Sequence, residues 1–101
     1  MATDTAKVAE RYRLHALGTA DASVGKANKH AKKLHACYKV LRDTDAGREA
    51  IMALMSDTEI SVRGWAAAHS LQWRPDLARP VLEAMKSAPF PYNFNAEMTL
   101  E

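Results

Sequence analysis

Four histidines carry the side chains best suited to metal binding or proton transfer: His15, His30, His35 and His69. A zinc site needs three or four ligands that converge on the ion. His30 and His35 are five residues apart, so a helix would point them to different sides. His15 and His69 have no histidine or carboxylate three or four residues further on. The pattern predicts surface or helix-boundary histidines, with no metal site and no cofactor.

Cys37 is the candidate nucleophile of the chain. A thiol can attack a substrate when a histidine, here a distant His69, serves as its base. Cys37, however, lies inside a predicted helix beside an apolar stripe, where free cysteines usually pack as small hydrophobes. The four glycines are isolated from one another, so no Gly-rich phosphate loop is present. We therefore predict a protein without enzymatic activity. A single cysteine also excludes an internal disulfide and fits a reducing cytosol.

Lysines form the strongest chemical feature, and five of them lie close together: Lys26, Lys29, Lys32, Lys33 and Lys39. They could neutralise phosphates and give a salt-sensitive affinity for nucleic acid. They could instead contact a protein, with Lys29 and Lys33 as candidates, or simply keep an exposed helix face solvated. The exposed face lacks the interleaved aromatics and arginines that base stacking or specific base contacts favour. A solvated face is favoured over a protein contact, and a protein contact over nucleic acid.

The net charge of +2 is unevenly distributed along the chain. Residues 1–42 hold nine Lys/Arg and three Asp/Glu, whereas residues 43–101 hold five and nine. Such a polarised molecule should orient a charged partner on approach, within a screening length of roughly 10 Å. The acidic half offers five carboxylates as candidates for contact with a basic partner: Asp43, Asp45, Glu49, Asp57 and Glu59.

Aromatic residues are the other candidates for contact with a partner, because aromatics and arginine are enriched in binding hot spots. We expect Trp65 to belong to the core. Trp73 stands at a predicted helix end beside Arg74 and is expected to be exposed. Tyr92 lies in the predicted loop Ser87 to Phe94. Trp73, Arg74 and Tyr92 are therefore predicted partner-binding residues.

All of these side chains must be positioned by helices. The clearest helix begins at a cap, Asp21 or Ser23, and ends near Arg42. Its apolar residues follow spacings of three and four, which no strand produces: Val24, Ala27, Ala31, Leu34, Tyr38 and Leu41. Burial of this stripe would leave the lysines on the outer face.

A first helix is predicted from a cap at Thr3 or Thr5 to about Leu17, with Val8, Tyr12 and Ala16 as its buried stripe. A third helix, about Ala46 to Met55, follows the Asp43-Thr44-Asp45 break. A polar turn at Ser56–Thr58 leads to a fourth, about Glu59 to Trp73. Gly64 inside this fourth helix predicts the close approach of a neighbouring helix.

Prolines shape the C-terminal part. Pro75 ends the fourth helix and suits the first turn of a fifth, about Asp76 to Lys86. Pro80 lacks a backbone N–H, so we expect a kink or short break near Leu77–Arg79. A short last helix is predicted at Ala96 to Leu100, with Asn95 as its cap.

The composition indicates one soluble domain spanning residues 1–101. Its 101 residues are 48% hydrophobic and 26% charged, typical of a globular protein that folds unaided. No apolar run approaches the ~18 residues of a membrane span. The N-terminal MATDTAKVAERY lacks the apolar region of a secretion signal. We expect a cytoplasmic protein that does not enter a membrane.

The segment LMSDTEISVRGWAAAHSL resembles the HEAT-repeat signature, in which an aspartate in the inter-helix turn precedes Val-Arg and then small residues. Asp57 and Arg63 match the positions that bond within and between HEAT units, and Val62 and Ala66 match the buried positions. One departure is Ser70, where the signature has leucine, so the end of this helix is expected to be rotated or reshaped. The resemblance implies an all-α fold of five to six helices, stacked as αα-hairpins in a right-handed solenoid.

The wider layout is similar to a group of small bacterial HEAT-like proteins without an assigned activity. The similarity lies in GKANKHAKKLHACYKVLRD, the hairpin and the C-terminal FNAEMTLE. Members of such groups can occur beside polymorphic or contact-dependent growth-inhibition toxins and serve as immunity proteins. The resemblance therefore implies a monomer or weak dimer that binds a cognate toxin domain, such as a nuclease, and covers its active site. The alternatives are a nucleic-acid-binding module that uses the lysines, and a structural adaptor.

Overall fold

The structure, a computed structural model, describes residues 4–101, which form six α-helices and no strand. The helices are α1 (Thr5–Gly18), α2 (Val24–Leu41), α3 (Asp45–Ala53), α4 (Ile60–Ser70), α5 (Pro75–Met85) and α6 (Tyr92–Leu100). A 3₁₀ turn, Leu54–Ser56, extends α3. The prediction of an all-α fold with five to six helices is confirmed. None of these helices is both long enough and apolar enough to cross a bilayer.

The first helix begins one residue away from its predicted caps. Asp4 is the cap, and its carboxylate accepts the backbone N–H of Lys7 at 3.2 Å. An aspartate in this position satisfies a free N–H of the first turn and interacts favourably with the helix dipole. Thr5 is the first helical residue, and Thr3 lies outside the described residues.

Helices adjacent in sequence pack on one another: α1 on α2, α4 on α5 and α5 on α6. The first helix also contacts α3 and α4 and so occupies the centre of the packing. The predicted stripe of α2 is buried from Leu34 onward, but Val24 is 74% exposed. Since α1 ends at Gly18, which lies against His30, the first turn of α2 extends beyond its neighbour.

The fifth helix has its predicted length but is more regular than predicted, and the last helix is longer than predicted. The fifth is continuous through Pro80, so the expected break near Leu77–Arg79 is absent. Pro80 is exposed, and the opposite face is buried, with Ala78 and Leu82 among its residues. This burial outweighs the single backbone hydrogen bond that proline removes.

The last helix begins at Tyr92 instead of Ala96 and follows a cis Phe90–Pro91 bond. Ala96 is buried and anchors the middle of α6. Gly64 has a close neighbour, because a Cβ there would lie 2.9 Å from Cε of Met85 on α5.

Two arginines hold the turn between α3 and α4. Arg13 of α1 donates from Nε to Oδ2 of Asp57 at 2.7 Å, and from Nη2 to Oδ1 at 3.2 Å. Arg63 donates from Nη1 to the carbonyls of Asp57 and Thr58, at 2.9 and 3.0 Å. Asp57 therefore bonds both within its own hairpin and to α1.

The apolar face of α4 follows the predicted register to its end. Val62 and Ala66 are fully buried, as expected. Ser70 is also fully buried and is the last residue of α4, whereas Leu71 is half-buried. The helix end is thus not rotated to place Leu71 in the core, and serine itself occupies the position where the signature has leucine. The right-handed order of the hairpins stays a prediction.

Candidate functional site

The lysines of α2 are all exposed, as the buried stripe predicted: Lys26, Lys29, Lys32, Lys33 and Lys39. None of the five forms an ion pair with another of residues 4–101. A helix of eighteen residues without a single carboxylate carries them. Their positive charge therefore faces solvent without a local counter-charge on the same helix.

Two histidines meet where α1 packs on α2. Nδ1 of His15 lies 3.0 Å from Nδ1 of His30, and the ring of His30 packs against Gly18. Burial lowers the pKa of His15, and the positive charges of His30, Lys33 and Arg11 lower it further. This pair was not expected from the sequence, because it depends on how two separate helices pack.

The predicted acidic residues do not converge on one site. Asp43 and Asp45 form exposed ion pairs with Arg42 and Arg48, at 3.7 and 3.2 Å. Asp57 is bound by Arg13, and this hydrogen bond, with the one from the Glu59 N–H, lowers its pKa. Glu49 and Glu59 are exposed. Three of the five carboxylates thus already have cationic partners in the chain.

His69 lies in an aromatic cluster between α1, α2 and α4. The Tyr12 hydroxyl is 2.6 Å from its Nδ1, and the Tyr38 ring stacks on it at 4.0 Å and 12°. Burial lowers the pKa of His69 to about 4 and raises the pKa of Tyr12. Nδ1 of the neutral ring and the Tyr12 hydroxyl therefore share one hydrogen bond. The arrangement is a satisfied buried polar pair, and neither group is poised for proton transfer near neutral pH.

Two tyrosines are the sequence signal that points to this cluster. Tyr12 and Tyr38 both lie on predicted buried stripes, and a buried tyrosine hydroxyl needs a hydrogen-bond partner. Tyr38 donates to Oε1 of Gln72 at 2.7 Å, and Tyr12 uses His69. The partners themselves depend on the packing of α4 against α1 and α2.

Trp73 is half-buried, in contrast to the exposure predicted for it. Its ring lies parallel to that of Tyr38, with centroids 6.4 Å apart and 13° between the planes. Its buried Nε1 has no hydrogen-bond partner among residues 4–101. Arg74 is exposed and binds Asp76 through two hydrogen bonds. Trp73 is thus partly buried beside Tyr38, whereas Arg74 lies on the surface.

Cys37 is half-buried at the edge of the core. Burial raises the pKa of its thiol, although Arg11 opposes the shift. A thiol with a raised pKa is protonated near neutral pH and is a weak nucleophile. The packing role predicted for Cys37 accounts for this environment.

An apolar groove of about 580 Å³ lies between the α1–α2 turn, α4, α5 and α6. Trp65, Leu82, Tyr92 and Met98 line it, and Met98 is 55% exposed. The Trp65 indole N–H donates to the Thr19 hydroxyl at 2.9 Å and so fixes the ring in the wall. The groove is thus a concave, mainly apolar surface walled by aromatic and aliphatic side chains.

Of the partner-binding residues predicted from sequence, only Tyr92 lines this groove. Lys33 acts on the histidine pair instead, and Trp73 belongs to the buried aromatic cluster. No three His, Cys, Asp or Glu side chains of residues 4–101 are close enough together to hold a metal ion. Comparisons of the chain with protein-family models, with curated proteins and with solved structures find no match.

Proposed function

We propose that this chain is a non-catalytic protein-binding module, and that it acts as a cytoplasmic immunity protein against a cognate toxin domain. The apolar groove beside α6 carries the proposal. The resemblance of the sequence to small bacterial HEAT-like proteins supplies the class of partner. The protein would neutralise the toxin by covering its active site, without chemistry of its own.

The composition of the groove fits contact with a protein. Trp65 and Tyr92 offer flat, rigid surfaces, and aromatic residues of this kind dominate binding hot spots. Met98 and Phe94 are 55% and 51% exposed on α6. Full burial of a methionine or phenylalanine side chain contributes about 1.5–3 kcal/mol. The free surface of α6 therefore offers substantial stabilisation to a partner that covers it.

The size of the molecule permits a stable complex. A standard interface buries roughly 800 Å² on each partner, and the accessible surface here is 6283 Å². The groove and the exposed side chains of α6 form one continuous region from which such an interface can extend. Met98 is flexible and polarizable, so it can fill irregular gaps in such an interface.

Two matched variants test the proposal in cells. The chain is co-expressed with the product of the adjacent upstream gene, and growth is measured. We expect the wild-type protein to restore growth and Met98→Asp to lose this protection, because the charge would be desolvated in the interface. Leu77→Asp, on an exposed part of α5 outside the groove, is the control and should protect. A gene product that kills equally with and without the chain would refute the proposal.

A further inference from the structure

The His15–His30 pair lies within a cationic face that the groove does not use. Arg11 is one turn before His15, and Lys33 is one turn after His30, so each lies on the same helix face as its histidine. Both cations act electrostatically on His15. Leu14, three residues after Arg11, is 59% exposed. An exposed apolar side chain thus adjoins a histidine pair and the cations around it.

The geometry of the pair limits how many protons it holds. A hydrogen bond between two Nδ1 atoms needs a proton on one of them and a lone pair on the other. At 3.0 Å the two rings can therefore carry one excess proton together, but two would abolish the bond. The neighbouring cations oppose the second proton as well. Negative charge brought by a partner would offset this repulsion and favour uptake of a second proton by the pair.

The charged groups around the pair favour this outcome. The charges that act on His15 are His30, Lys33 and Arg11, all cationic or able to become so. The sequence-nearest carboxylates, Glu10 and Asp21, are not among them. On the sides of α1 that face α3 and α4, Arg13 is bonded to Asp57 and Tyr12 to His69.

We propose that the face formed by Arg11, Leu14, His15, Lys29, His30 and Lys33 docks an acidic patch of the protein partner and takes up a proton when it does so. Carboxylates seated on this face would offset the repulsion between the two rings, so binding and protonation would favour each other. Leu14 favours a protein surface over a nucleic acid, because it supplies an apolar contact among the cations. The identity of the partner rests on the proposed function, whereas the chemistry of the face does not.

The face and the groove share an edge. The ring of His30 lies on Gly18, and the next residue, Thr19, lines the groove and bonds to Trp65. One partner can therefore place an apolar element in the groove and an acidic patch across the α1–α2 hairpin.

Poly-L-aspartate is the probe for this face, because its carboxylates stay ionised down to about pH 5.5. Its affinity is measured by calorimetry near pH 7.5 and 5.5, at about 50 mM salt. One linked proton changes the affinity by up to about tenfold per pH unit. We expect binding at least about fivefold tighter at the lower pH, with proton uptake visible as a buffer-dependent heat.

Three variants separate the outcomes. Replacement of both His15 and His30 by glutamine should abolish the pH dependence, whereas His35→Gln, on an exposed part of α2, should keep it. Lys33→Gln should weaken binding at both pH values. Binding of the wild type that does not change with pH, or a pH dependence that survives in H15Q/H30Q, would overturn the proposal. So would tighter binding of a DNA duplex than of poly-L-aspartate at equal charge.

The binding of poly-L-aspartate does not depend on the groove. Met98→Asp leaves the histidine face intact and should bind poly-L-aspartate with the same pH dependence. If M98D fails to protect cells while this dependence persists, both proposals stand. If the dependence is absent while protection is groove-dependent, only the docking of an acidic patch fails.

Discussion

Arg13 and Asp57 are joined by two hydrogen bonds, at 2.7 and 3.2 Å, although 44 residues separate them in the chain. This pair fixes α1 to the turn between α3 and α4, while Arg63 closes the same turn from within. The Asp57 side chain is only 11% exposed, so the pair is better shielded than the other ion pairs of the described residues. Asp57 thus joins α1 to the turn between α3 and α4, in addition to its bonds within that turn.

A double-mutant cycle on this pair should show clear coupling. Alanine at Arg13, at Asp57 and at both positions gives the interaction energy from urea unfolding. We expect it to exceed the energy of the same cycle at Arg74 and Asp76, two residues apart and both exposed. Equal coupling in the two cycles would show that the long-range pair does not join the hairpins.

The same pair contributes to stability against acid. Because the Arg13 hydrogen bond lowers the pKa of Asp57, the unfolded chain binds this proton at higher pH than the folded one. The stabilisation is present above about pH 4 and is lost as pH falls through the lowered pKa. Asp57→Asn should therefore lose less stability than wild type between about pH 5 and pH 3. An unchanged slope of unfolding free energy against pH would contradict this.

His69 should make the fold sensitive to a higher pH range. Its pKa is about 4 in the folded protein, against about 6.5 for a free histidine. The folded state keeps the ring neutral, so stability falls as pH decreases from about 6.5 to 4, by up to about 3 kcal/mol. An NMR titration should find the His69 midpoint near 4, and His69→Gln should reduce the slope of stability in this window. A midpoint near 6.5 would mean that burial does not keep the His69 ring neutral.

Alanine substitutions at two glycines should change the stability of the fold in opposite directions. A Cβ at Gly18 would overlap the ring of His30, whereas a Cβ at Gly25 would have no atom within 4 Å. Gly18→Ala must displace the histidine ring and should cost roughly 1–3 kcal/mol. Gly25→Ala should stabilise α2 by up to about 1 kcal/mol, because alanine has the better helix propensity. The urea unfolding midpoints of the two variants test this prediction. A stabilising G18A would show that the His30 ring can move aside without loss of stability.

Ser70 offers a stabilising substitution. Its buried hydroxyl has no hydrogen-bond partner among residues 4–101, and an unpaired buried polar group is unfavourable by about 1–3 kcal/mol. Ser70→Ala should therefore raise the free energy of unfolding by about 1 kcal/mol. Ser87→Ala, at an exposed position, is the matched control and should change little. A loss of stability in S70A would indicate that the hydroxyl is satisfied in solution.

The helices could be predicted from sequence because their signals are local. The spacing of Leu34, Tyr38 and Leu41 located the buried face of α2, and Asp57, Val62 and Ala66 located the second hairpin. The predictions are wrong where tertiary packing outweighs a local sequence preference. Pro80 was expected to interrupt α5, but the buried face opposite to it preserves the helix.

The candidate site could be predicted only in part. Exposure of the lysines follows from the period of α2 alone. The His15–His30 pair, the Tyr12–His69 bond and the groove beside Met98 each require residues from different helices at defined distances. Spacing along one helix contains no such information. The exposure predicted for Trp73 is therefore wrong, because its ring lies parallel to that of Tyr38 on another helix and is half-buried.

The central claim, recognition of a protein through the groove beside α6, is tested most directly by calorimetric titration of the purified chain with the proposed toxin domain, taken from the product of the adjacent upstream gene. We expect wild type to bind with a nanomolar Kd, and Met98→Asp to bind about 100-fold more weakly, a loss of about 3 kcal/mol. Leu77→Asp should bind within about twofold of wild type. Equal affinities of wild type and M98D, or no binding of the toxin domain at all, would contradict the account.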